Sequence, residues 1–156
     1  DYPFIFTNGV QASYVEVDIE TGFVKLLKHW CVEDCGRVLN PMLVDEQMRG
    51  AIVQGIGGAL YEECLYDAAG QMLNGSMADY LVPMAGEMPD IEVAHVQTPT
   101  ASSALGAKGA GEAGTAGAPA AVMNAINDAL GPLQAKVFSQ PFTPEKILRA
   151  VGRVSN

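Results

Sequence analysis

A single carboxylate, Glu112, lies inside a stretch of the chain that is almost without side chains. Residues 106–119 are glycine and alanine except for Lys108, Glu112, Thr115 and Pro119. Because glycine lets other groups approach the backbone closely, such a loop is typical of a binding site, and its carboxylate is suited to proton transfer. The alternative is that the small residues only let two elements pack while Glu112 points into solvent. The loop taken alone favours that alternative.

The glycines of this loop also match the spacing of the dinucleotide-binding fingerprint, at Gly109, Gly111 and Gly114. That fingerprint requires a strand running directly into the first glycine and an acidic residue about 20 positions further on. Here residues 98–103 separate the preceding predicted strand from the loop, and residues 132–136 include no acid. A nucleotide-binding module using the Gly109–Gly114 loop is therefore the less favoured alternative, and a parallel strand entering the loop would support it.

Composition narrows the class of protein. The chain of 156 residues suits one domain, and its net charge of -9 without a basic cluster argues against nucleic acid as a partner. Its apolar stretches contain glycine and are too short for a membrane span. The chain begins at Asp1 rather than at a methionine, which we interpret as a cut inside a longer protein.

The three cysteines, Cys31, Cys35 and Cys64, lack the spacing of a metal site. Cys31 and Cys35 lie in an apolar run, so we expect buried free thiols in a reducing compartment. The sequence therefore predicts a cytoplasmic protein and no metal ligands in this chain.

The order of the elements predicted from apolar patterns, turns and helix caps indicates an α+β fold with a mixed or antiparallel sheet and about three helices. The predicted elements are a hairpin of residues 13–18 and 23–32, a helix from about Val44 to Glu63, a strand from Ile91 to Gln97, a loop from Thr98 to Ala118, a helix from Pro119 to Leu130 with the proline in its first turn, a short strand around residues 135–138, and a last helix from Thr143 to Ala150. The glycines between Gly50 and Gly58 are expected to pack closely against another surface, because they weaken an isolated helix.

Four motifs in a fixed order carry a resemblance to a known family. They are VEDCGRVLNP at residues 32–41, EQMRGAIVQGIG at 46–57, DYLVP at 79–83 and GAKGAGE at 106–112. This order closely resembles the end of the molybdopterin-binding large subunit of molybdenum hydroxylases, the xanthine oxidase and aldehyde oxidase family. It looks most like the branch that contains the large chain of aerobic carbon monoxide dehydrogenase. The resemblance covers nearly the whole chain, about Ser13 to Ala150.

The resemblance implies roles for four residues. Glu112 stands at the position of the family's catalytic glutamate, a general base in hydroxylation with water-derived oxygen. Gln47 stands where a glutamine hydrogen-bonds the pterin, and Ala110 and Gly111 stand at backbone positions that line the cofactor. The resemblance implies that the substrate is an aldehyde, an N-heteroaromatic compound or carbon monoxide.

The resemblance also implies that this chain is a fragment. Other active-site segments of the family, including the substrate-side loop, have no counterpart here. Residues 1–156 are therefore interpreted as the C-terminal portion of a molybdopterin-binding domain. The expected cofactor is molybdopterin with molybdenum, in its cytosine dinucleotide form, and a fragment alone is expected to be inactive and to retain little of it. The implied partners are the remainder of the large subunit and iron–sulfur and FAD subunits or domains. A folded fragment that is not catalytic when isolated remains the alternative.

Three further residues attract attention. Lys108 could neutralise Glu112 or a phosphate group, although a lysine beside a glycine loop is expected to be solvated. His29 and His95 lie in predicted strands without a partner at metal-ligand spacing. Both histidines are therefore interpreted as structural.

Overall fold

The computed structural model describes residues 5–155, so the chain start at Asp1 lies outside the described residues. The elements are two strands, a long helix, a third strand and two further helices, and two short 3-10 turns at residues 85–87 and 131–133 connect them. Their bounds are β1 Asn8–Val17, β2 Val24–Asp34, α1 Pro41–Leu60, β3 Ile91–His95, α2 Ala113–Ala129 and α3 Pro144–Ala150. Within these residues, no helix combines the length and the apolar character that crossing a bilayer requires.

The sheet is mixed, which confirms the predicted α+β class. Its strand order is β1-β2-β3, with β1 and β2 antiparallel and β2 and β3 parallel. The turn of the β1–β2 hairpin uses Gly22 at a φ of 76°, a conformation that L side chains rarely adopt. The predicted hairpin is thus confirmed. Strand β3 ends at His95, so it does not run directly into Gly109 as a dinucleotide fingerprint requires.

Helix α1 begins earlier than its apolar periodicity indicates. The side chain of Asn40 accepts a hydrogen bond from the Leu43 amide and caps the helix, and Pro41 takes the first position. The amides of Tyr61 and Glu62 both bond to the Gly57 carbonyl, which ends the helix at Leu60 rather than at Glu63. The predicted helix is confirmed, with both ends shifted towards the N-terminus.

Helix α2 corrects the position predicted for Pro119. The helix starts at Ala113, so Pro119 lies inside it and the predicted loop ends several residues before Ala118. A proline inside a helix removes one backbone hydrogen bond, and packing of this segment compensates. Gly114 provides that packing, because a Cβ atom there would lie 2.7 Å from the Met48 carbonyl oxygen of α1.

The core lies between the sheet and the helices, where α2 packs against both α1 and β1. Met48, Ile52 and Ile56 of α1 and Val122 and Ile126 of α2 are fully buried in it. The residues of α1 recur at the helical period from which that helix was predicted, and those of α2 follow the same period.

The glycines of α1 divide into two groups. A Cβ atom at Gly55 would lie 2.8 Å from the Ala118 Cβ of α2, and one at Gly57 would lie 2.3 Å from the Glu62 carboxylate. At Gly50 and Gly58 it would meet nothing within 4 Å among the described residues. The expected close packing is therefore confirmed at Gly55 and Gly57, whereas Gly50 and Gly58 have no close neighbour within the described part of the chain.

The short strand predicted around residues 135–138 is wrong. This segment is extended but joins no strand ladder among the described residues. Instead, the Asn127 side chain donates to the Val137 carbonyl at 2.9 Å and accepts from the Val137 amide at 2.8 Å. One amide side chain on α2 thus replaces a neighbouring strand. The last helix is confirmed, with Thr143 as its cap and Pro144 at its first position.

Candidate functional site

Glu112 occupies the N-cap position of α2, and it is exposed. Its backbone is in the right-handed helical region, and its side chain makes no capping hydrogen bond to the helix. A carboxylate that neither caps its helix nor packs in the core is available to act on a ligand. The exposed position alone does not distinguish a catalytic glutamate from a solvated one.

Gln47 lies beside Glu112. It is exposed on α1, and its Nε2 donates a hydrogen bond to the Gly111 carbonyl oxygen at 3.0 Å. A primary amide has two N–H donors and an oxygen acceptor, so one bond to Gly111 leaves Gln47 with capacity for a ligand. The structure therefore brings Gln47, Gly111 and Glu112 together at one edge of the molecule, where α1 contacts the start of α2.

The backbone that leads to Glu112 borders open space. A Cβ atom at Gly109 or at Gly111 would meet nothing within 4 Å, and the intervening Ala110 is half-buried. Packing within the described chain does not require glycine at these two positions. Glycine there leaves the main chain accessible to a bound group, and the amide and carboxylate beside it fit a polar cofactor such as molybdopterin.

The first turn of α2 is fixed to α1 directly behind Glu112. The Thr115 hydroxyl donates to the Ala51 carbonyl oxygen at 3.0 Å. Gly114 allows the close approach, because a Cβ atom there would also lie 2.9 Å from the Ala51 Cβ. The backbone that follows Glu112 is thus held against α1, which suits a residue that must act at a defined place.

A second anchor reaches the same turn from the sheet. Gln11 on β1 donates from Nε2 to the Gly114 carbonyl oxygen at 2.8 Å, which leaves its Oε1 as an acceptor. His29 Nε2 lies 3.0 Å from that Oε1, and His29 Nδ1 lies 2.9 Å from the Ser13 hydroxyl. Nε2 thus donates to Oε1, and because burial keeps the imidazole neutral, Nδ1 accepts from the Ser13 hydroxyl. His29 is structural, as predicted.

Burial lowers the pKa of His29 from 6.5 to about 4. We therefore expect that protonation of His29 does not change the free energy of unfolding of the chain above pH 6.5. Between pH 6.5 and 4 only the unfolded state takes up the proton, so stability falls by about 1.4 kcal/mol per pH unit, about 3 kcal/mol in all. Denaturant titrations at a series of pH values measure this slope.

Two substitutions accompany that measurement. His29→Gln removes the titrating group and is expected to remove the slope, whereas His95→Gln retains His29 and is expected to keep it. Parallel stability curves for His29→Gln and the parent chain across this window would contradict the assignment.

Asp34 is a site residue that the sequence analysis missed. It ends β2, is 9% exposed, and bonds to the amide of Gly36, to Thr98 and to Lys108. Hydrogen bonds from the Thr98 hydroxyl and amide, and to a smaller extent from Gly36 and Lys108, hold the pKa of Asp34 below its ordinary value despite burial. The stabilisation is present above about pH 4 and is lost on further acidification. An aspartate two residues before a glycine was the available local signal.

Lys108 corrects an expectation. Its side chain is only 9% exposed, and its Nζ lies 3.0 Å from Asp34 Oδ2 and 2.8 Å from the Thr98 hydroxyl. It is therefore not solvated, and it bonds to Asp34 and Thr98 rather than to Glu112.

The cysteines follow the prediction. Cys31 and Cys35 are each 2% exposed and free, and Cys64 is free and exposed. Burial, with a smaller effect of the Glu33 charge, raises the pKa of Cys31 to about 11. Both buried thiols remain uncharged at neutral pH and behave as small apolar side chains.

A cavity of about 890 Å³ lies elsewhere in the molecule. Its wall is mostly apolar and includes Phe23, Leu60, Tyr61, Met88 and Phe142. None of Gln47, Ala110, Gly111 and Glu112 lines it. The candidate site is therefore an open edge and not a closed pocket.

The fold and this edge define an α+β domain that carries an exposed glutamate, an exposed glutamine and glycine backbone bordering open space. Residues 1–89, more than half of the chain, match the family model described as the molybdopterin cofactor-binding domain. This chain belongs to the molybdopterin cofactor-binding domain family. The family resemblance that the four motifs indicated is thereby confirmed.

Similar proteins agree with this family. The chain is 48% identical over 146 residues to the nicotine 6-hydroxylase large subunit of Paenarthrobacter nicotinovorans, covering 94% of this chain and 18% of that protein. It is 33% identical to the carbon monoxide dehydrogenase large chain of Afipia carboxidovorans, covering 90% of this chain and 17% of that protein. The crystal structure of quinoline 2-oxidoreductase from Pseudomonas putida 86 superposes with a TM-score of 0.90 at 43% identity, covering 93% of this chain and 18% of that one. The chain thus spans less than a fifth of the length of these relatives.

Proposed function

We propose that this chain forms one wall of the molybdopterin site in a molybdenum hydroxylase and contributes its general base, Glu112. One observation carries the proposal. The bond from Gln47 to Gly111 holds an exposed glutamate beside glycine backbone that borders open space. Gln47 and the backbone of Ala110 and Gly111 would hold the cofactor, for which the cytosine dinucleotide form is proposed.

When bound, molybdenum would accept two electrons from the substrate and acidify the water that supplies the oxygen atom. The Glu112 carboxylate would take the proton from that oxygen as it attacks an electron-poor carbon. Gln47 and the bond between Thr115 and Ala51 would hold the start of α2, so that the carboxylate meets the oxygen in one orientation. In this step one O–H bond would break with its proton on Glu112, a carbon–oxygen bond would form, and the carbon–hydrogen bond would break, its two electrons going to the bound cofactor and its hydrogen leaving as a second proton.

We propose an N-heteroaromatic ring as the substrate class. The named substrates of the nicotine and quinoline enzymes contain such rings, and these relatives share 48% and 43% identity with the chain. The carbon monoxide dehydrogenase large chain shares 33%. A ring carbon next to nitrogen is electron-poor, which suits attack by a deprotonated oxygen. Aldehydes and carbon monoxide are the other classes to be tested.

Exposed apolar side chains support a larger assembly. Large hydrophobic residues that are more than 65% exposed are Phe6, Val10, Phe23, Met42, Met77, Met84 and Phe138. A folded chain that stands alone rarely exposes so many. We propose that residues 1–156 are the C-terminal portion of a large subunit, and that the remainder of that subunit covers part of this surface. The iron–sulfur and FAD components would accept the electrons, and a cytoplasmic location fits the free thiols.

Oxygen labelling tests the proposed reaction. The assembled enzyme that contains this chain should carry stoichiometric molybdenum and should convert an N-heteroaromatic compound in ¹⁸O-labelled water to a product with ¹⁸O on carbon. The 156-residue chain expressed alone is the control, and it should lack molybdenum and turnover because it holds only one wall of the site. Unlabelled product from the assembled enzyme would contradict the reaction, and stoichiometric molybdenum in the chain alone would contradict the single-wall account.

A further inference from the structure

A buried polar cluster joins three separate segments of the chain at the end of β2. Asp34 Oδ1 accepts from the amides of Gly36 at 2.9 Å and Thr98 at 3.1 Å. Asp34 Oδ2 accepts from the Thr98 hydroxyl and from Lys108 Nζ, the latter at 3.0 Å. The Thr98 hydroxyl in turn accepts from Lys108 Nζ at 2.8 Å. The cluster thus links β2, the segment after β3, and the loop that leads to Glu112.

Backbone bonds reinforce the same junction. The Lys108 amide donates to the Cys35 carbonyl oxygen at 2.7 Å, and the Arg37 amide donates to the Gly106 carbonyl oxygen at 3.0 Å. Gly36 adopts a φ of 70°, and a Cβ atom there would lie 2.4 Å from the Gly106 oxygen. Any side chain at Gly36 would push the loop away, so the close approach is built into the sequence.

We propose that Asp34, Thr98 and Lys108 form a clamp that sets the position of the Glu112 loop, with Lys108 as a positioning residue that does not touch substrate or cofactor. The inference rests on the proposed function, because the loop is held in place so that Glu112 can act as the general base. The loop is then held at two places, at Lys108 by the clamp and at Gly111 by Gln47 on α1. Gly109, between the two places, and Gly111 itself border open space.

The polar character of the clamp favours positioning over stability. Moving a carboxylate and an ammonium group out of water is costly, and well-packed apolar residues often replace such a pair without loss of stability. An ion pair instead contributes directional hydrogen bonds, and these determine which groups contact each other. Asp34 keeps its bonds to Gly36 and Thr98 when Lys108 is lost, so a Lys108 variant should fold.

Lys108→Met in the assembled enzyme tests the clamp. We expect kcat per bound molybdenum to fall about 10- to 100-fold, the loss that follows from a small displacement of a catalytic group, with KM and molybdenum content unchanged. Amide hydrogen exchange in peptides covering residues 106–112 should become at least about tenfold faster, while exchange in residues 118–129 stays the same. Lys146→Met is the matched control, because Lys146 bonds to Gln140 and lies near Glu63, away from the loop.

Thr98 supplies an independent pair of variants. Thr98→Val removes the hydroxyl and keeps the backbone bond to Asp34, so it should reproduce the effects of Lys108→Met in weaker form. Thr98→Ser keeps the hydroxyl and should restore the parent values. A residue needed only for folding would not show this rescue in kcat per bound molybdenum.

The clamp is overturned if Lys108→Met leaves both loop exchange and kcat at the parent values, or if its activity falls only in proportion to lost molybdenum. Loop exchange needs no turnover, so the clamp can fail while the proposed function stands. Conversely, a Glu112→Gln enzyme with parent activity would remove the proposed function without altering the exchange result.

Discussion

Replacing Glu112 with glutamine is expected to lower kcat of the assembled enzyme by at least about 10²-fold at unchanged molybdenum content. Glutamine preserves the size of the side chain but cannot accept the proton. Glu112 is exposed and makes no capping bond to α2, so its replacement should leave folding intact. Steady-state kinetics normalised to molybdenum measure the effect.

Glu145→Gln is the matched control for this variant. Glu145 lies in the first turn of α3, so its replacement also removes a carboxylate at a helix start. It bonds to Arg149 and lies outside the candidate site, and the variant should turn over at the parent rate. If Glu112→Gln and Glu145→Gln gave the same rate at full molybdenum occupancy, the glycine loop would revert to a purely structural role.

Alanine substitution at Gly55 and Gly58 of α1 is expected to change stability in opposite directions. At Gly55 the new Cβ atom would lie 2.8 Å from both the Ala118 Cβ and the Thr115 carbonyl oxygen of α2. Both contacts belong to a closely packed neighbouring helix, so the two helices must separate, at a cost of about 1–3 kcal/mol. At Gly58 the Cβ atom meets nothing within 4 Å, and alanine should add up to about 1 kcal/mol through helix propensity.

Thermal unfolding of the three proteins measures this difference. Gly55→Ala should lower the unfolding midpoint by several degrees and Gly58→Ala should raise it, since about 1 kcal/mol shifts the midpoint of a domain of this size by a few degrees. An equal or higher midpoint for Gly55→Ala would mean that α1 and α2 are not in close contact at this position.

Local signals in the sequence predicted much of the fold. The hairpin, which turns at Gly22, and the last helix, which Thr143 caps, depend on signals within a few residues, and both predicted elements are confirmed. The start of α2 was missed because Pro119 is a strong local signal for a helix start. Contacts of Gly114 and Thr115 with α1 outweigh that signal, and they join residues far apart in the sequence.

The residues of the candidate site could be predicted from the sequence, but the residues that support them could not. Glu112 and Gln47 lie in motifs that can be read along the chain. The clamp depends on Asp34 meeting Thr98 and Lys108, which lie 64 and 74 positions away. No periodicity or spacing encodes that meeting, because it exists only once β2, β3 and the loop are placed together. The buried state of Lys108 follows from the same assembly.

The rate at which substrate reduces the molybdenum centre in a single turnover tests the role of Glu112 most directly, because this rate excludes product release and reoxidation. At equal molybdenum content, the account predicts that Glu112→Gln slows this rate by at least about 10²-fold and that Glu145→Gln leaves it unchanged. Reduction of the Glu112→Gln enzyme at the parent rate would contradict the account.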